Sequence, residues 1–273
     1  MTDPVNEPAA APQQRRAWVV PLALFAGTFV VYALTARHGG GSWDYYTANF
    51  ASWHIVHTGS PWIDGVNIKG LSGTHSAMIW IKEANGHTVI SRFPGVIAIS
   101  LPAYFIARPD SMTVIPGAMT AAVVSALSIV MMYLALRPHL RDKHNVWACL
   151  ALALGTPIWS ISADAIWPHT VTVFGIAGMA WGASSGRWWL AGIFGGITLW
   201  GRLHAALIVG LLGLCLAIRR RNARIAVVMG AISIGFLALL GWWTHWMYGS
   251  WNPMSSYGEG ISDERLHGVL QVV

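Results

Sequence analysis

Two aspartates lie where apolar sequence meets polar sequence, and both have the chemistry of a general base or a metal ligand. Asp44 follows the first long apolar run by eight residues, among glycines and aromatic residues. Asp164 lies between two later apolar runs, in the sequence SISADAIWPH. A carboxylate near a hydrocarbon boundary is costly to hold unless it is paired or hydrated in a cavity, so both are candidates for function. The alternative for each is an ordinary solvated loop acid.

Arg202 is the cation whose setting most favours a chemical role, because it interrupts apolar sequence within the segment 200–204. A guanidinium is a fork-shaped donor that suits a lipid phosphate. The alternative is an arginine whose long side chain reaches out to the membrane interface. The chain has 11 histidines, and no pair has HExxH or comparable metal-ligand spacing. His54 and His57, three residues apart, come nearest to a ligand pair, and we predict ordinary structural roles for them.

The composition indicates that lipid is the solvent for much of the chain. Of 273 residues, 55% are hydrophobic and only 10% are charged, whereas a soluble domain usually has about a quarter charged residues. The 16 tryptophans agree, because indole rings favour the membrane–water interface. Disordered, coiled-coil, collagen-like and disulfide-stapled classes are excluded. The net charge of +6 comes from short basic clusters between apolar stretches, a pattern that does not predict nucleic-acid binding.

The elements that must position these residues are apolar runs. Residues 17–36 are long enough to cross a hydrocarbon core about 30 Å thick. Residues 1–16 are predicted to be a disordered cytoplasmic tail, and residues 37–111 an outer loop. The run 93–107 inside that loop contains two prolines and would reach only about 22 Å as a helix. The other apolar runs are 112–136, 146–162, 168–185, 188–201, 203–218 and 225–247.

The basic residues decide whether 93–107 spans. If it does not, ten of the 17 Lys and Arg residues fall in short cytoplasmic segments, as the positive-inside rule prefers. We therefore predict that 93–107 lies on or dips into the outer leaflet, and that seven spans within 17–247 leave the N-terminus inside and 248–273 outside. The ten residues are Arg15, Arg16, Arg137, Arg141, Lys143, Arg187, Arg219, Arg220, Arg221 and Arg224.

The order of motifs resembles a known family. A SRFPG entry at 91–95 leads into a short proline-bearing helix, GTPIWS stands at 155–160, and an outer acid is followed by His169. GGITLWGR at 195–202 and WMYGSWNP at 246–253 complete the order. This resembles the GT-C superfamily of membrane glycosyltransferases, which use polyprenyl-phosphate-linked sugars, and looks most similar to actinobacterial cell-envelope arabinosyl- and mannosyltransferases. The resemblance covers essentially the whole chain and rests on order and spacing.

The resemblance implies an all-α, polytopic membrane protein: a module of about seven transmembrane helices, with juxtamembrane helices in the first outer loop and an outer active site. Asp44 would then be the catalytic acid of the first loop, and Asp164 a second acid that helps to bind a divalent cation (Mg²⁺, Mn²⁺ or Ca²⁺) or the acceptor. The usual Asp-x-Asp or Asp-x-Glu partner of that second acid is missing. Similar members generally continue further, so we expect a fragment or a minimal relative. The implied substrate-binding residues are Asp164, His169, Arg202, Trp43, Tyr45 and Arg92.

The implied reaction needs a base for the acceptor hydroxyl and positive charge for the departing phosphate. Asp44 would be the base of an inverting transfer, and Arg202, with Arg37, Lys69 or Arg92, the phosphate partner. Expected partners are a polyprenyl-phosphate-linked sugar, a glycan or protein acceptor and the plasma-membrane bilayer. A transporter would show mid-span polar residues and an internal repeat, which we do not find. A non-catalytic subunit that binds lipid or a partner enzyme stays open.

Overall fold

The computed structural model describes residues 11–39, 42–66 and 80–256, and every structural statement below concerns these residues. Helices dominate them, with one small hairpin. The elements in chain order are α1 Ala11–Thr35, α2 Trp43–Thr58, β1 Ile81–Ala84, β2 His87–Ile90, α3 Pro94–Ala107, α4 Ile115–Leu136, α5 Asp142–Leu154, α6 Pro168–Ser184, α7 Trp188–Gly201, α8 Ala206–Arg220 and α9 Ala223–Tyr248.

Four helical stretches in the described ranges are long and apolar enough to cross a membrane. The shortest have 18 residues, which corresponds to about 27 Å of helix against a hydrocarbon core of about 30 Å. These helices support the prediction of a multi-pass membrane protein, whereas seven spans and their sidedness stay predictions. The four stretches are Trp18–Thr35, Ile115–Leu136, Leu203–Arg220 and Ala223–Tyr248.

One predicted apolar run is interrupted, and the boundary between two others lies at Arg202. The run 146–162 divides into α5 and a π-helical turn, Ile158–Ser162, because Pro157 has no N–H to continue the helical ladder. The stretch 188–218 breaks at Arg202, whose backbone is extended (φ −152°, ψ 115°), and a 3₁₀ turn, Leu203–Ala205, leads into α8. The structure therefore places the predicted central break at the arginine singled out in the sequence.

The predicted outer loop contains structure of its own. Helices α2 and α3 lie within residues 37–111, where juxtamembrane helices were predicted, and α3 is an apolar helix below spanning length. Their position at the membrane surface stays a prediction. The antiparallel hairpin β1–β2 departs from the all-α prediction. Its signal is the Asn85–Gly86 pair, the strongest short-range sign of a hairpin, and both residues have positive φ, 54° and 78°.

The N-terminal boundary also differs from the prediction. Helix α1 begins at Ala11, so the second part of the tail predicted as disordered, 11–16, is helical. Alanine, glutamine and arginine are good helix formers and extend the apolar helix toward the N-terminus. Residues 1–10, Lys69 and the segment 257–273 lie outside the described residues.

One end of the helix bundle carries the hairpin and the two short helices, and the other carries a group of exposed cations. At one end, the Arg37 N–H donates to the Asp164 carbonyl at 2.9 Å, and the Tyr248 hydroxyl donates to the Ile90 carbonyl at 3.2 Å. The hairpin, α2 and α3 gather at this end, which we call the loop end. The opposite end is formed by the α4–α5, α6–α7 and α8–α9 turns, and its exposed cations are Arg137, Arg141, Lys143, Arg187, Arg219, Arg220, Arg221 and Arg224.

Helices α6 and α7 pack backbone to backbone at Gly182. A Cβ there would lie 2.5 Å from the Ala191 nitrogen and 2.9 Å from its Cα, and backbone atoms have no room to move aside. Gly182→Ala should therefore destabilise the protein by about 1–3 kcal/mol through overpacking and lower its thermal unfolding midpoint in detergent, followed by tryptophan fluorescence. Gly235→Ala is the matched control, because nothing lies within 4 Å of a Cβ there. Equal midpoints for the two variants would contradict the close approach.

Candidate functional site

Asp44 is the second residue of α2 and presents its carboxylate at the loop end. Ser42 caps this helix, and its hydroxyl accepts from the Asp44 N–H at 3.2 Å. The Asp44 side chain is 42% exposed, and its Oδ1 lies 3.7 Å from Nη1 of Arg92. Trp43 begins the helix, but its side chain lies outside the described part of the structure. Asp44 is thus both accessible and next to a cation.

Arg92 is the buried cation of this pair. Its side chain is only 2% exposed, its Cζ lies 4.0 Å from the Trp80 ring centroid, and its Nε is buried without a hydrogen-bond partner among the described residues. Burial lowers the pKa of Arg92 to about 10, and the neighbouring Asp44 carboxylate and Tyr248 hydroxyl oppose this decrease. A buried, incompletely paired charge is costly. The site therefore holds a guanidinium with donor capacity to spare.

The neighbouring backbone fixes Arg92 in place. The Ser91 N–H donates to the Trp80 carbonyl at 2.7 Å, and the Arg92 N–H donates to the Ile90 carbonyl at 3.1 Å. Gly95, three residues on, touches α7 so closely that a Cβ would lie 2.7 Å from the Trp200 carbonyl carbon. The start of α3 therefore meets the end of α7.

Arg202 forms a second pair at this meeting point, with His169. Its Nη2 lies 3.1 Å from Nε2 and 3.4 Å from Nδ1 of His169, and its Nε is buried without a partner in the described ranges. Arg202 lies two residues after Trp200, and Trp200 contacts Gly95 of α3. Asp44 and Arg202 therefore belong to the same end of the bundle, although the arginine beside Asp44 is Arg92.

Asp164 and Arg37 form the third side-chain pair, which is an ion pair. The Arg37 Nε donates to the carboxylate, and the Asp164 side chain is 14% exposed. The hydrogen bond and charge of Asp164 raise the pKa of Arg37. Divalent cations such as Mg²⁺ or Ca²⁺ are held by several oxygen ligands, and the described residues contain no cluster of three His, Cys, Asp or Glu side chains. A single carboxylate already paired with a guanidinium fits a cation site poorly.

Tyr45 is not available as a surface on which a sugar ring could stack. Its side chain is 1% exposed, its hydroxyl donates to the Gly39 carbonyl at 2.8 Å, and its ring packs edge-on against Trp167 at 5.6 Å. The sequence showed an aromatic residue beside Asp44 but not the direction of its ring. Tyr45 instead anchors the first turn of α2, and so the position of Asp44, against the segment that follows Asp164.

Two supporting residues had no signal in the sequence. The Asn49 Nδ2 donates to the Tyr45 carbonyl at 2.7 Å, and the Tyr104 hydroxyl donates to Asn49 Oδ1 at 2.8 Å. Both side chains are buried, and together they tie the first turns of α2 to α3. Only the packing of these two helices could have identified them.

An apolar groove begins near the junction of α7 and α8. It has a volume of about 260 Å³ between α8 and α9, and its lining includes Leu199 and Ala206, which flank Arg202 in sequence. Gly210 and Gly230 line it further along, and a Cβ on either would meet nothing within 4 Å. The groove is thus open space bordered by hydrocarbon, and one end of it lies at the junction of α7 and α8, where Arg202 also lies in the chain.

No family model, curated protein or solved structure matches this chain.

Proposed function

We propose that this chain is a membrane glycosyltransferase that moves a sugar from a polyprenyl-phosphate donor to an acceptor hydroxyl at the outer face of the plasma membrane. One observation carries the proposal: the accessible Asp44 carboxylate lies 3.7 Å from the Arg92 guanidinium, which is buried and keeps an unused donor. Sugar transfer from a phosphate leaving group requires a base and an anion-binding group that lie side by side. The sequence resemblance supports the same reaction.

In the proposed reaction Asp44 removes the proton from the acceptor hydroxyl. The hydroxyl oxygen bonds to the anomeric carbon while the bond from that carbon to the phosphate oxygen breaks, and its electron pair leaves with the phosphate. Direct displacement inverts the anomeric centre. Arg92 stabilises the negative charge that develops on the phosphate, since a guanidinium already held in place needs no reorganisation during the step. Arg202 is the second cation available to that phosphate.

The apolar groove supports a lipid-linked donor. The groove begins at Leu199 and Ala206, which lie three residues before and four residues after Arg202. In the proposed complex the phosphate contacts Arg202 and the polyprenyl chain enters the groove at these two residues. Burial of isoprenoid carbon there contributes about 25 cal/mol per Å² of apolar surface. Affinity should therefore depend on the length of the lipid as well as on the phosphate.

Filling the groove tests this dependence. Gly230→Leu should weaken binding of undecaprenyl phosphate about tenfold, because the new side chain occupies the lipid path, and should leave binding of a short-chain analogue such as geranyl phosphate within about twofold. Gly235→Leu, on the same helix with equally open Cβ space but outside the groove lining, is the matched control. Dissociation constants in detergent provide the measurement. Equal losses for both lipids, or for both variants, would remove the groove from the donor site.

An assay of sugar transfer from donor to acceptor tests the proposed function. Purified protein in detergent is incubated with radiolabelled polyprenyl-phosphate sugars, including arabinose and mannose, and with oligosaccharide acceptors. We expect label in the acceptor with inverted anomeric configuration. Donor that binds but is never consumed with any acceptor would favour a non-catalytic lipid-binding subunit, and protein-dependent movement of intact donor across vesicles would favour a transporter. Either result would overturn the proposal.

A further inference from the structure

We infer that His169 is a positioning residue that acts through Arg202 and does not itself contact substrate. This inference rests on the proposed function and assigns a new role within that site. Its basis is how the two side chains share their hydrogen-bonding capacity: the acceptor nitrogen of His169 is used on Arg202, and Arg202 keeps donors for another ligand.

The structure holds both side chains on adjoining helix ends. His169 lies in the first turn of α6, which Thr170 closes by donating its hydroxyl to the Ser162 carbonyl at 2.7 Å and accepting from the Trp167 N–H at 3.2 Å. Arg202 follows the last residue of α7, where a Cβ on Gly201 would lie 3.1 Å from the Thr172 nitrogen. Two helices this close give the imidazole and the guanidinium little freedom to separate.

The chemistry of the contact assigns the roles. An arginine has only donors, whereas a neutral imidazole has one acceptor nitrogen, so Arg202 donates to His169. Nη2 of Arg202 lies within 3.4 Å of both ring nitrogens, and a ligand that approached them would have to displace it. Arg202 retains Nε, which is buried and has no partner among the described residues. An anion at this site would therefore bind Arg202, with His169 beside it.

Orientation matters because arginine is flexible. A free side chain must lose rotamer entropy when it binds a ligand, and a side chain already held in one conformation loses less. His169 should therefore increase phosphate affinity without a contact of its own. A residue that acts in this way has no effect once the group it orients is gone.

A double-mutant cycle with undecaprenyl phosphate in detergent separates positioning from direct contact. Arg202→Gln should weaken binding about 30-fold, as expected for loss of a charge-assisted hydrogen bond, and His169→Leu about fivefold. His169→Gln, which restores an acceptor, should return within about twofold of the wild type. In the Arg202→Gln background, His169→Leu should cause no further loss of affinity for undecaprenyl phosphate. An additional fivefold loss in that background, or failure of the glutamine to restore affinity, would overturn the positioning role.

A ligand-independent measurement keeps this inference separate from the proposed function. Diethylpyrocarbonate modifies accessible neutral imidazoles, and peptide mass spectrometry reports the rate at each histidine. His169 is exposed, but its two ring nitrogens lie beside Nη2 of Arg202. Arg202→Gln should therefore increase the rate at His169 about twofold or more, because it frees these nitrogens, and leave exposed His139 at the opposite end unchanged. An unchanged rate at His169 would refute the contact. Absence of undecaprenyl phosphate binding by the wild type, with an increased rate at His169, would instead refute the proposed donor.

Discussion

Asp44→Asn should reduce sugar transfer by about 10²–10⁴-fold, the usual contribution of a general base. The amide keeps the shape of the carboxylate and cannot accept the acceptor proton. Asp44 is 42% exposed, so water can solvate the new amide and the fold should survive. Initial rates with a labelled donor, compared at equal amounts of folded protein, measure the effect.

Binding must be separated from chemistry in this variant. Removing the negative charge beside Arg92 should leave affinity for undecaprenyl phosphate unchanged or slightly higher, because one competitor for the guanidinium is gone. Asp110→Asn is the matched control, since Asp110 is also an exposed acid of the predicted outer loop; its rate should stay within about twofold of wild type. Wild-type turnover by Asp44→Asn would exclude Asp44 as the base.

The sequence identifies candidate residues for chemistry more readily than it identifies the partners that they contact. Asp44, Asp164 and Arg202 were recognisable because a charged side chain beside apolar sequence is costly near a membrane unless it is paired or hydrated. Their partners come from other elements: Arg92 for Asp44, Arg37 for Asp164 and His169 for Arg202. No local pattern encodes such pairs, because they depend on how α1, α3 and α6 pack.

The same distinction holds for the fold. Helix positions followed from apolar runs, and the break at Arg202 followed from a polar interruption of one run. The hairpin β1–β2 is absent from the sequence prediction although Asn85–Gly86 marks its turn, because strands of four residues are too short for an alternating pattern to stand out. Tyr45 shows the limit of such reasoning: its proximity to Asp44 was plain, and its burial depends on Trp167, which is distant in sequence.

Arg92→Met should abolish transfer without lowering stability. Loss of a preorganised charge aimed at a developing anion typically reduces rate by about 10²–10³-fold. Replacing a buried, incompletely paired ion by an apolar side chain of similar length is often neutral or stabilising. The unfolding midpoint should therefore stay equal or rise while transfer disappears. A structural arginine would behave in the opposite way, with a lower midpoint and activity that follows the folded fraction.

Arg92→Lys provides a test with a defined dependence on pH. Burial lowers the pKa of Arg92 to about 10, so the wild-type residue remains a cation between about pH 7 and pH 9 and contributes no titration there. Lysine starts from an ordinary pKa of about 10.4, and the same burial would bring it toward neutral pH. Because a lysine loses its charge as pH rises, transfer by Arg92→Lys should fall across this range relative to wild type. Arg108→Lys, at an exposed position after α3, should show no such fall. A constant ratio of Arg92→Lys to wild-type rates would mean that the charge at residue 92 does not support the transferring phosphate.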